Sequence, residues 1–482
     1  MFKKIFLVLF ILVVIIGFYH TTKPVPTGLD MRSELYSIND EQIRFIADRT
    51  YRDQDDNIIY KHEIFDTILD LIEKSNRSFV MDMFLFNKDT GQLDTIKRDI
   101  VEEITQALIS QKNNNTDSIY TIITDPINTG YDSYTPYHIK RLAEHGIRVI
   151  FTNLERLPDS NPIYSAWYRS GLQFLPPVGG GVLPNIFEPD GEGMNLRGFA
   201  RLLNFKANHR KVIVSDGNQG TYALISSMNI HNASSQHSNS GVLIKNHPII
   251  NDIIQSEQSV INFTNKNNPI ELKAIDINDT PKHTENLYVQ LLTEYAIKNA
   301  VLERINTLES GDKIDIAMFY ISDRNIVKSL KKADSRGVNI RLLFDPNRDA
   351  FGREKNGIPN RQVAHELAKN TKGNTIIRWC DTSGEQCHSK FMLTQTTNDI
   401  ELIIGSANFT RRNIANLNLE TNVRIVGNDS HSIINDAIYF FEEQWTNKYN
   451  RTYSTHYDTY SDSSRLRTIW YHIGEFSGLS HY

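Results

Sequence analysis

Apolar side chains in this chain alternate between a helical and an extended spacing. Ile64, Ile68, Leu69, Leu71 and Ile72 mark one face of a helix over Glu63–Lys74, and Ser78–Phe86 follows as an almost continuously apolar strand. The alternation continues with a helix over Asp94–Ser110, the strand Ile119–Thr124, a helix over His138–His145 and the strand Ile147–Phe151. A second series repeats it: helix Tyr295–Leu308, strand Lys313–Ile321, helix Asn325–Ser335, strand Asn339–Phe344, helix Asn360–Asn370, strand Asn374–Trp379. In each series one strand runs into Asp-Pro, at Asp125-Pro126 and Asp345-Pro346. The recurrence in one order predicts an internal duplication. Helices interleaved with strands predict the α/β class, with two mixed-sheet halves packed about a pseudo-twofold axis.

The same patterning divides the chain. Residues 1–22 form a membrane anchor or signal peptide, 23–58 a polar tether, 59–264 the first half, and 265–284 an Asn/Asp-rich linker. Residues 285–448 form the second half and 449–482 a tail packing back on the body as a short helix. Lys3 and Lys4 precede an apolar run from Ile5 to Phe18, and no small-x-small cleavage site follows it. At about 1.5 Å per residue this run reaches roughly 21 Å, so crossing a bilayer through residues 5–19 needs the flanking aromatics and snorkelling lysines. The lysines ahead of the run place the N-terminus inside and the body on the extracytoplasmic side of a cell membrane.

Each series ends in a matching polar motif. His209-Arg210-Lys211 is followed by Ser226-Ser227-Met228-Asn229, and His388-Ser389-Lys390 by Gly405-Ser406-Ala407-Asn408; His and Asn are 20 residues apart in both. On a strand, His and Lys two apart share a face and offer an imidazole beside an ammonium. A lone His-x-Lys means little, but two copies with matched downstream Ser-x-Asn make a reactive pair. The chain here resembles the phospholipase D superfamily, whose signature is His-x-Lys-x4-Asp, twice, each followed by a Gly/Ser-Ser-x-Asn segment. It is most similar to bacterial phospholipase D and cardiolipin synthase-like proteins. Asp216 completes the first copy; Gln395 stands where the second would have Asp.

A phosphodiester is anionic and needs positive charge on its oxygens, a nucleophile, and an acid for the leaving alkoxide. Lys211 and Lys390 supply charge, Asn229, Asn408, Ser227 and Ser406 bind phosphate, and His209 and His388 share the roles of nucleophile and acid/base. The resemblance implies a phosphohistidine intermediate formed without metal or other cofactor. It also implies an acidic residue orienting an imidazole. Glu420, 32 residues after His388, fits that place, whereas the corresponding first-half position is Gly241. A carboxylate on His388 would favour its protonated form, making His388 the acid/base and His209 the nucleophile. Asp216 is expected to support the motif structurally, and the remaining histidines, including His231 and His237, to be structural or surface groups.

Cys380 and Cys387 are the only cysteines and bracket a loop between strands, so a disulfide just before His388 is expected in an oxidising compartment. Zinc is not expected, because these residues lack ligand spacing. The apolar stretch between Pro158 and Phe205 is read as a lid receiving acyl chains or a cover over a sheet edge. Net charge −5 and pI about 6.3, without a basic stripe, speak against a nucleic-acid partner. The expected function is a membrane-anchored phosphodiesterase or phosphatidyltransferase acting on phospholipid. A metal-independent nuclease of the same superfamily is the alternative, and a silent binding protein the third reading; no protein partner is predicted.

Overall fold

The computed structural model describes residues 1–88, 96–176, 181–185, 191–267, 269–273, 275, 277, 286–350, 353–480 and 482. Two mixed sheets carry the architecture. One has the spatial order Ile58–His62, Ile43–Arg52, Asn239–Lys245, Gly220–Ser226, Lys211–Gly217, Ser78–Met83, Ile119–Thr124, Arg148–Phe151. The other runs Tyr36–Ser37, Tyr288–Thr293, Thr421–Gly427, Ile400–Gly405, Lys390–Gln395, Lys313–Met318, Asn339–Phe344, Thr375–Cys380, Ser454–His456. Seven consecutive strands of each correspond, with the same parallel and antiparallel neighbours around the strand that opens on Lys211 or Lys390. The halves are thus built on one plan.

Alternating strand residues face opposite layers. Val212 and Val214 join Leu393, Leu402 and Ile404 in a core shared by both sheets, together with helices Ile249–Thr264 and Ser432–Thr446. Phe45 meets Phe391 edge-on across this core, ring centroids 6.5 Å apart. The opposite faces are covered by helices Glu63–Lys74 and Ile100–Asn114 in the first half. In the second, helices Glu294–Thr307, Arg324–Arg336 and Asn360–Asn370 do the same.

Two boundaries differ from expectation. Residues 23–58 are not a polar tether: Ile43–Arg52 is a full strand pairing with Asn239–Lys245, and Tyr36–Ser37 extends the second sheet. Ile43, Phe45 and Ala47 enter the shared core, while charges on Asp48 and Arg49, met by Asn239 and Glu443, mask the pattern in sequence. The stretch between Pro158 and Phe205 holds helices Pro162–Ser170 and Leu196–Leu202; its residues 177–180 and 186–190 lie outside the described residues, as do parts of the expected linker and the start of the helix expected at Asp94. Phe2–Thr22 is a helix of mean hydropathy 2.5, long and apolar enough to cross a membrane. Ser454–His456 adds the tail to the second sheet's edge, and helix Arg465–Ser477 follows.

Candidate active site

The regular strands begin at Lys211 and Lys390, so each histidine sits just ahead of its strand rather than on it beside its lysine, as the spacing suggested. What holds the histidine segments is the other half. His209 N–H donates to Leu419 O (2.9 Å) and His388 N–H to Ser238 O (2.8 Å), one equivalent bridge on each side of the pseudodyad. The repeated Asp-Pro secures the preceding residue: Asp125 accepts from Asn208 N–H (2.7 Å) and Asp345 from Cys387 N–H (2.8 Å). Both imidazoles consequently line one cavity of about 320 Å³, with Asn229 and Asn408 beside them.

Behind the imidazoles the copies again match. Lys211 Nζ donates to His209 O (2.7 Å) and Lys390 Nζ to His388 O (2.8 Å), each ammonium lying over a phenyl ring, Phe84 or Phe319. The same rings pack against the histidines at centroid distances of 4.8 and 4.9 Å. Ser227 and Ser406 are corrected by this geometry: they are fully buried beneath the cavity, and their hydroxyls donate to Asn239 (3.2 Å) and Glu420 rather than facing a phosphate.

The orienting groups cross between halves, and this overturns the expected pairing of Glu420. Glu420 lies 2.8 Å from His209 Nδ1 and is held further by Ser406 and Asn413. His388 Nδ1 instead meets Asn239 Oδ1 at 3.1 Å. Asn239 is twelve residues after Ser227, whereas Glu420 is fourteen after Ser406. Counting equal offsets from the histidines therefore reached Gly241 and missed Asn239.

Asp216 lies away from the cavity, paired with Arg77 (2.6 Å) and Thr221 (2.9 Å). Cys380 and Cys387 are disulfide-bonded. His231, expected to be structural, lines the cavity, and the His237 ring lies 6.2 Å from that of His388. Arg412 also reaches the cavity, its guanidinium donating to Phe205 O (2.7 Å) and Gly478 O (3.0 Å). Among the described residues no cluster of three or more His, Cys, Asp or Glu forms a metal-binding set.

Residues 301–445 match the family described as cardiolipin synthase, PLD-like domain. The second half of the chain thus carries a phospholipase D-like domain. No curated protein matches it by sequence. Among solved structures, phosphatidylserine synthase of Haemophilus influenzae Rd KW20 is alike over 92% of this chain and 95% of its own, at 10% identity and TM-score 0.58. Nuc of Salmonella typhimurium, a phospholipase D family member, is similar over 35% of this chain and 99% of its own, at 20% identity and TM-score 0.27. The likeness to the synthase is one of fold and spans both halves.

Electrostatics in this site are dominated by burial. Desolvation lowers His209 to about 4 against the opposing pull of Glu420. It takes His388 well below the usual imidazole range, with Lys390 and His237 adding to the shift. Lys211 falls to about 7 by burial, and Lys390 falls well below its ordinary value through burial and the facing Lys211. Burial thus favours the neutral form of both imidazoles and weakens the hold of both lysines on their charge, Lys390 further so because Lys211 faces it.

Proposed function

We propose that this protein is a phospholipase D-type phosphodiesterase or phosphatidyltransferase that acts on phospholipids through a phosphohistidine on His209. The observation that supports it is the pair of buried lysines behind two unprotonated imidazoles, an arrangement that a phosphodiester monoanion completes. Nδ1 of His209 is committed to Glu420, which leaves Nε2 to attack phosphorus. As the N–P bond forms, the ring gains positive charge that Glu420 stabilises, so the carboxylate acts more strongly in the transition state than before it. A general acid loses charge at the same moment, so a carboxylate would oppose that role. His209 therefore keeps the nucleophile's part, for a different reason than its sequence suggested; the bound phosphodiester monoanion favours protonation of His388, which keeps its Nδ1 proton on Asn239 Oδ1 and gives its Nε2 proton to the departing alkoxide. An incoming water or alcohol then returns a proton to His388 as its oxygen displaces His209 from phosphorus. Asn229 and Asn408 bind the non-bridging oxygens from the cavity wall, and Lys211 and Lys390 supply charge from behind.

Phe2–Thr22 anchors the chain in a membrane, with the body on the extracytoplasmic side. The test uses full-length protein in mixed micelles containing EDTA, offered phosphatidylglycerol, phosphatidylcholine or plasmid DNA. Cardiolipin formation or choline release is expected; nicked DNA with untouched lipid would replace this reading with the nuclease. For the roles, a phosphodiester with a p-nitrophenolate leaving group needs no acid. His388→Asn should lose roughly 10²–10⁴-fold on lipid and much less on this ester, while His209→Asn loses both activities. Phosphate trapped on a His388 peptide would reverse the assignment.

A further inference from the structure

The tail helix Arg465–Ser477 is turned inside out. A surface helix ordinarily buries its apolar stripe. Here the buried residues are Tyr471 and Glu475, Tyr471 donating to Ser322 O (3.0 Å) and accepting from Arg324 (3.1 Å). Leu466, Ile469, Trp470, Ile473 and Phe476 occupy the opposite, solvent-facing side, with Trp470 67% and Phe476 91% exposed. Their spacing of three and four residues makes one continuous stripe.

The place of this stripe identifies its occupant. Asn161 Nδ2 donates to Ser477 O (2.7 Å) and Ser160 Oγ to Gly478 O (3.1 Å), tying the helix end to residues 160–161. The preceding Asp159 N–H donates to His20 O (2.9 Å), in the last turn of the Phe2–Thr22 helix. Gly17 of that helix approaches Pro162–Ser170 so closely that a Cβ there would stand 2.6 Å from Pro162 O. Helix Pro162–Ser170 in turn exposes Ile163 and Trp167. The chain beyond Gly478 ends in Tyr482, which lines the catalytic cavity.

We propose that Arg465–Ser477 lies in the membrane interface beside the anchor, its stripe among the acyl chains, and holds the cavity mouth against the lipid surface. The inference rests on reading Phe2–Thr22 as the anchor. A helix fixed to the anchor's last turn sits at headgroup depth, and Trp470 with flanking Arg465 and Arg467 suits that boundary.

The test places full-length protein in phosphatidylcholine/phosphatidylglycerol vesicles with brominated acyl chains. The Trp470 signal is the emission difference between wild type and Trp470→Phe. It should fall at least twofold with bromine and resist aqueous acrylamide. Acrylamide quenching without bromine quenching would mean a solvated face, and quenching by neither a face covered by a second copy; either overturns the proposal. This readout does not depend on turnover, so it fails separately from the assigned reaction. In a second test, the double variant Ile469→Glu, Phe476→Glu should lose at least tenfold on vesicle lipid while keeping hydrolysis of a soluble short-chain diester within twofold. Equal turnover on both would sink the idea.

Discussion

The His209 and His388 halves agree in the residues that line the shared cavity and differ in those that support them. Each has a histidine held by the opposite half, an ammonium over a phenyl ring, and an asparagine in the cavity wall. The first copy, however, sets its histidine on the carboxylate Glu420, and the second on the neutral amide of Asn239. The residue between His and Lys also differs: Arg210 is wholly buried against Glu257 and Glu294, where the second copy has Ser389. Duplication supplies matched geometry, and divergence of the supporting residues gives two similar imidazoles different partners.

The largest difference to break is Arg210. Its guanidinium joins the segment just ahead of a first-half strand to Glu294, at the start of the second half's helix, 2.7 Å away. Arg210→Met would leave two buried carboxylates without their cation, so unfolding in denaturant should show a loss of about 3–5 kcal/mol. Ser389→Ala should cost far less. Equal losses would mean the Arg210 network contributes nothing beyond packing.

Glu420→Gln makes the two Nδ1 partners alike in charge. Turnover should fall roughly 100-fold, about 2.7 kcal/mol in the barrier, with little change in KM. Asn239→Ala should cost no more than about tenfold. If the asparagine change proved the more damaging, the nucleophile would be His388. His209 also carries a pH signature of its own. Burial holds that imidazole near 4 in the folded protein, so between its unfolded value of about 6.5 and pH 4 the unfolded chain binds the extra proton. Stability should therefore decline as pH falls through this window, and His209→Asn should flatten the decline.

The residue before each histidine differs next. Asn208 is pinned by its side chain to Asp82 (2.7 Å) and Thr152 (3.0 Å), and Cys387 by the disulfide to Cys380. The bridge closes a short loop, so Cys380→Ser with Cys387→Ser should cost about 2 kcal/mol. Lipid turnover should fall less than for Glu420→Gln, because Asp345 still holds the backbone of residue 387. Turnover abolished in a folded double serine variant would contradict that division.

The duplication, the α/β class and the twin motifs were legible because local periodicity and equal spacing record them. Glu63–Lys74 and Asn360–Asn370 form over the expected residues. Three features were not legible, each for a physical reason. Ile43–Arg52 carries charges whose partners include residues as distant as Glu443. Glu420 serves the other half's histidine, a relation across the pseudodyad that counting along one copy does not reach. Ser227 and Ser406 look like phosphate ligands in a motif, yet the fold turns both hydroxyls downward onto Asn239 and Glu420.

The smallest difference is at the end of the motif, where Asp216 in the first copy corresponds to Gln395 in the second. Asp216 accepts from Arg77 and Thr221, and although burial alone would raise its carboxyl, these partners hold it below the usual range. Arg77 is 45% exposed along its side chain, so the pair is screened and worth less than about 1 kcal/mol. Asp216→Gln, which copies the second half into the first, should lower stability by that amount and leave kcat within twofold. The sign with pH follows from the depressed carboxyl: its stabilisation is present above the unfolded value of about 3.9 and is lost as pH falls through the folded one. Wild type and variant should therefore converge in stability under acid and separate again at neutral pH. A tenfold loss of kcat in an equally stable variant would instead make Asp216 part of the reaction, and the second copy, with Gln395, would then be the impaired one.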